Sequence, residues 1–106
     1  MRFFPLEKLI NLQDGYIRRF KIDELQLLLV KHRGEVYLLE ATCPHRNYPL
    51  DEALIVNGII RCPNHQYEFA LDDGSLLRAT EDTCRGLRTF NVIYEGNEVG
   101  VMLDRA

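Results

Sequence analysis

Two short clusters of metal-ligand side chains dominate the chain: Cys43-Pro44-His45 and, after 16 intervening residues, Cys62-Pro63-Asn64-His65. Both must lie on loops, and some framework must bring the loops side by side. Thiolates are soft metal ligands, and neutral imidazole suits several transition metals. One residue separates Cys43 from His45, and two separate Cys62 from His65. Such close spacing lets each loop reach two different metals a few ångströms apart. It is poor for wrapping one tetrahedral zinc, where ligands within a loop usually stand about two to four residues apart. Pro44 and Pro63 fix φ directly after each cysteine and remove a backbone donor, which stiffens both loops.

The rest of the sequence supplies the framework. Short apolar-rich runs alternate with turn signals, a pattern that predicts an all-β sandwich or barrel; of the two, an antiparallel β-sandwich is expected. Strands are expected at Tyr16–Ile22, Leu25–Lys31, Val36–Glu40, Ala53–Val56, Ile59–Cys62, Tyr67–Leu71, Ser75–Leu77, Thr89–Tyr94 and Val99–Leu103. Asn57-Gly58 is a strong hairpin signal, because both residues tolerate positive φ. Leu6–Leu12 reads as a short helical turn. Each ligand cluster falls just past a strand, and a single hairpin links the two. Residues from about 42 to 71 are therefore expected to form a small ligand-bearing subdomain within a single domain spanning residues 1–106.

The bulk properties narrow the function. With 13 basic and 16 acidic side chains the formal charge is −3, which argues against a nucleic-acid binder and favours basic partner surfaces. No apolar run approaches the roughly 20 residues of a membrane span, and the first residues do not resemble a signal peptide. A cytoplasmic location is expected. Three cysteines, an odd number, form no disulfide framework. No paired carboxylates, nucleophile triad or phosphate-cradling glycine loop stands out, so the chain is not expected to be an enzyme.

The run C-P-H-R…R-C-P-N-H-Q-Y-E-F resembles the Rieske 2Fe–2S family, and its small soluble ferredoxins in particular. Leu29–Leu39 is similar to the family's lead-in hairpin, and Asp73-Gly74 and Leu87–Val92 to its trailing strands. The resemblance implies a Rieske-like sandwich holding a 2Fe–2S cluster, with Cys43 and Cys62 on one iron and His45 and His65 on the other. With two thiolates rather than four, the oxidised site carries no net charge and accepts an electron more easily, which raises the potential. The resemblance further implies an electron carrier between redox partners, from a reductase to an oxygenase or similar enzyme. The alternatives are a small non-catalytic subunit of a reductase complex of the nitrite reductase type and, more remotely, a zinc-stabilised interaction module. His45 and His65 are expected nearest solvent, as the edge through which electrons leave.

Several residues depart from the family pattern. Tyr48 and Asn64 stand near the places where high-potential members carry a second pair of cysteines, so that disulfide is absent. Phe69 replaces a hydroxyl that would reach a cluster sulfur. Fewer such bonds predict a potential at the low end of the Rieske range, about −150 mV. Asn47 and Gln66 stand where glycine is usual. Cys84 lies in the expected covering loop and reads as a small buried thiol. Tyr48 and Tyr67 read as packing residues that shield the site, His32 as a turn residue, and Arg46, Arg61, Glu81 and Asp82 as solvated charges.

Overall fold

The computed structural model describes residues 1–104. Thirteen strands follow in order: β1 (Arg2–Lys8), β2 (Ile17–Ile22), β3 (Leu25–His32), β4 (Glu35–Glu40), β5 (Thr42–Cys43), β6 (Tyr48–Pro49), β7 (Leu54–Val56), β8 (Ile59–Arg61), β9 (Glu68–Ala70), β10 (Leu76–Arg78), β11 (Thr89–Phe90), β12 (Ile93–Glu95) and β13 (Glu98–Leu103). One 3-10 turn covers Leu9–Asn11. The strands pair antiparallel in three sheets, ordered β1-β13-β12, β11-β4-β3-β2 and β10-β9-β8-β7, plus the two-stranded pair β5-β6. No helix among the described residues is long and apolar enough to cross a membrane.

The run Leu27-Leu28-Leu29-Val30 in β3 explains the layering. Alternate side chains of a strand point to opposite faces, and here both faces are apolar. Leu27 and Leu29 join Leu12, Leu38, Val99 and Val101 in one core. Leu28 and Val30 join Leu39, Leu50, Ile60, Phe69 and Leu71 in a second core, which also contains Cys43, Cys62 and Tyr67. The sheet containing β3 is thus the middle layer, and the ligand-bearing lobe packs on one side of it. The lobe therefore shares its apolar core with the framework, and each Leu buried there contributes roughly 1.5–3 kcal/mol.

Two expectations are corrected. Leu6–Leu12 is not a helical turn throughout: Leu6 to Lys8 end a seven-residue strand, and only Leu9–Asn11 turns. Pro5 obscured this strand. Proline is tolerated at a sheet edge, and β1 is the edge of its sheet, with an irregular register between Pro5 and Glu7. The single strand expected at Thr89–Tyr94 is two. Thr89 and Phe90 pair with β4 in the middle sheet, whereas Ile93–Glu95 pair with β13 in another. The chain changes sheets at Asn91-Val92, as corner strands of sandwiches do.

The hairpins follow their turn chemistry. Asn57 and Gly58 adopt φ of 51° and 75°, as do Arg33 and Gly34 at 53° and 80°. Positive φ at both central residues is the two-residue geometry that matches the strand twist. The Asn57-Gly58 turn sets the register Ile55↔Ile60 and so carries β8 into the second ligand loop.

Candidate metal centre

The first ligand loop leaves β5 at Cys43 and returns at β6; the second leaves β8 at Arg61 and returns at β9. Cys43 and Cys62 lie side by side, fully buried, and their thiols hydrogen-bond to each other. The backbone N–H groups of His45 and Arg46 donate to the Cys43 sulfur. Burial nonetheless pushes the Cys43 thiol up to about 11, and the neighbouring Cys62 adds to the shift. Without metal the Cys43 thiol is therefore neutral, and metal binding must displace its proton.

The imidazoles form the opposite pair. His45 and His65 meet edge-to-face with centroids 5.6 Å apart. His45 also stacks on the Tyr67 ring at 4.1 Å. The pairing is therefore thiol with thiol and imidazole with imidazole, the division that a Rieske centre needs between its two irons. Among the described residues, no three His, Cys, Asp or Glu side chains converge on a single ion. One atom supports the fit: His45 Nδ1 is buried without a hydrogen-bond partner. Such orphans carry a desolvation cost of about 1–3 kcal/mol, which a metal at that nitrogen would remove.

The two histidines are not equivalent. The side chain of His65 is 40% exposed, that of His45 only 7%. The expectation of two solvent-edge histidines holds for His65 and fails for His45. His45 Nε2 lies 3.1 Å from Glu81 Oε1, and His65 Nδ1 lies 3.5 Å from Glu81 Oε2. Glu81, read as a solvated charge, bridges both imidazoles. Nothing in the local sequence marks it, because the loop is brought over the site only by the fold.

Tyr67 holds that loop. Its hydroxyl donates to the Asp82 carbonyl and accepts the Glu81 N–H at 3.3 Å. The hydroxyl is thereby committed to the backbone of the covering loop. Tyr67 is fully buried against His45, whereas Tyr48 is 42% exposed. Cys84 packs, half-buried, against the core that contains Cys43 and Cys62. His32 accepts the Gly58 N–H at 3.2 Å and so braces the hairpin, while Arg61 pairs with Glu68 at 2.6 Å.

The backbone compensates for missing glycines. Asn47, His65 and Gln66 all take left-handed φ, at 54°, 65° and 61°. Asn and His adopt this region more readily than most residues; Gln does not, at about 1–2 kcal/mol.

Comparison with known proteins agrees with this geometry. A family model for the Rieske [2Fe-2S] domain matches residues 3–91. The ferredoxin component of the alkene monooxygenase system of Xanthobacter autotrophicus is 31% identical over 90 residues, covering 84% of this chain and 71% of that protein. The ferredoxin of carbazole 1,9a-dioxygenase from Nocardioides aromaticivorans superposes with a TM-score of 0.84 at 22% identity, covering 95% of this chain and 97% of that one. A chain from the complex of reduced oxygenase and oxidized ferredoxin in carbazole 1,9a-dioxygenase gives a TM-score of 0.82 at 25% identity, covering 93% and 100%. The protein belongs to the Rieske [2Fe-2S] domain family.

Proposed function

We propose that Cys43, His45, Cys62 and His65 hold the 2Fe–2S cluster, and that the protein carries single electrons from a reductase to an oxygenase. The observation that carries this reading is one pair of buried thiols and one pair of imidazoles, of which one has an unpartnered Nδ1. When bound, the cluster accepts and releases one electron with a potential raised by its histidine ligands. The chain's own residues do the rest. Cys43 and Cys62 anchor the buried end, and Tyr67 excludes water from the face of His45. His65 offers a conjugated, accessible edge through which an electron leaves without bond making. The ferredoxin of alkene monooxygenase and the oxygenase-bound carbazole ferredoxin support the choice of an oxygenase as acceptor.

The carrier is read as non-catalytic and cytoplasmic. Cys84, the cysteine outside the proposed ligand set, is an unpaired thiol, which suits a reducing compartment. Residues 42–71 act as the cluster-bearing lobe of a single domain. The test is stopped-flow mixing of the reduced protein with an oxygenase component. Rapid oxidation that slows with added salt supports a dissociable carrier. Copurification with a reductase at fixed stoichiometry, with no exchange in solution, contradicts it.

A further inference from the structure

We propose that Glu81 sets the charge of the redox site: its carboxylate, held against a nitrogen of each imidazole, favours the oxidised state and lowers the midpoint potential. The inference rests on the ligand assignment given above. Three restraints carry the covering loop across the site. The Glu81 N–H donates to the Tyr67 hydroxyl, the Asp82 carbonyl accepts that hydroxyl's proton, and the Thr80 hydroxyl donates to the His65 carbonyl. The side chain then spans the pair, with Oε1 3.1 Å from His45 Nε2 and Oε2 3.5 Å from His65 Nδ1. Arg46 Nη2 lies 3.7 Å from the same Oε1.

Two effects of the carboxylate have the same sign. At His45, whose Nδ1 is the unpartnered nitrogen, the carboxylate faces the outer Nε2, and a carboxylate there makes the imidazole more basic and a better donor to iron. It is also a fixed negative charge beside a site that becomes more negative on reduction, and like charges repel. Arg46 offsets part of this, but its side chain is 64% exposed against 38% for Glu81, so it is the more screened of the two. The carboxylate therefore dominates.

The test is a redox titration of the cluster-loaded protein at fixed pH and low ionic strength. Glu81→Gln keeps the shape and removes the charge. It is expected to shift the reduction equilibrium about tenfold toward the reduced state, an upward move of about 59 mV for one electron. Arg46→Gln should move the midpoint the other way, by about threefold. Loosening of the loop alone would not give opposite signs. Glu95→Gln, the same change in net charge on the exposed β12 strand of the distal sheet, should leave the midpoint in place. Added salt should narrow the Glu81→Gln shift.

A Glu81→Gln midpoint equal to or below that of the parent overturns the inference, as does an equal shift from Glu95→Gln. If Glu81→Gln does not load, Glu81→Asp decides, because it withdraws the charge by one methylene. A midpoint above the parent supports the inference, and one at or below it contradicts it. A parent protein that takes up neither iron nor sulfide contradicts the ligand assignment. A loaded protein whose midpoint ignores Glu81 contradicts this inference alone.

Discussion

The first ligand loop is clamped at both ends to the middle sheet, whereas the second is tied across its own base by the Arg61–Glu68 pair and opens to solvent at His65. In the first, Arg19 of β2 donates to the Ala41 carbonyl at 2.9 Å and to both oxygens of Asp51 at 2.7–3.1 Å. Ala41 precedes Cys43 and Asp51 follows β6, so one guanidinium ties the loop's entry to its exit. In the second, His65 and Gln66 are consecutive left-handed residues, and His65 is the exposed histidine of the pair. The contrast separates two demands. One side fixes ligand geometry so that little reorganises when charge changes, and the other exposes an edge to a partner.

The comparison breaks most severely at the cysteines. Cys43→Ser and Cys62→Ser should each abolish the visible chromophore and acid-labile sulfide; full colour in either variant would refute the shared buried anchor. Next in size is the clamp. Arg19→Ala should lower stability by about 1–2 kcal/mol, since it removes several hydrogen bonds to charged or backbone groups at a partly exposed site, and should speed cluster loss. Urea unfolding and the decay of the visible absorbance measure both.

The clamp also has a pH signature. Arg19 holds the Asp51 carboxyl below its usual range. The folded value is depressed, so the stabilisation is present above the unfolded pKa and lost as pH falls through the folded one. Arg19→Ala should shed that acid-side dependence. A variant with the same acid limb as the parent would show that the clamp carries no weight.

A smaller effect probes the other side. Tyr67→Phe frees the Asp82 carbonyl and should cost about 1–2 kcal/mol. Because the hydroxyl is spent on the covering loop, its loss should not lower the midpoint potential. A tenfold downward shift, about 59 mV, would mean that the hydroxyl serves a cluster sulfur. The smallest expected change is a gain. Gln66→Gly relieves left-handed strain and should stabilise the protein by about 1 kcal/mol. An equivalent gain from Asp51→Gly would erase the distinction between the loops.

Much of this was legible in the sequence, for identifiable reasons. Cys43, His45, Cys62 and His65 stand out because ligand chemistry restricts residue type and spacing. The Asn57-Gly58 hairpin is readable because its backbone needs positive φ at both positions, and it has it. The strand around Pro5 was hidden, since proline argues against a strand unless an edge is available. The break at Asn91-Val92 was hidden too, because a change of sheet leaves no mark in local alternation. Glu81 and Arg19 act on residues 36 and 32 positions away, His45 and Asp51 respectively, and only the folded chain brings them together. The committed hydroxyl of Tyr67 and the absence of one at Phe69 both favour a low potential, on the order of −150 mV.

Electron paramagnetic resonance of the dithionite-reduced protein reads whether a 2Fe–2S cluster is held by unlike donor pairs. The expected signal comes from one unpaired electron per two irons, with an average g value below that of all-thiolate clusters, as two nitrogen ligands on one iron require. A reconstituted protein that is colourless and silent, with neither iron nor acid-labile sulfide, would contradict it.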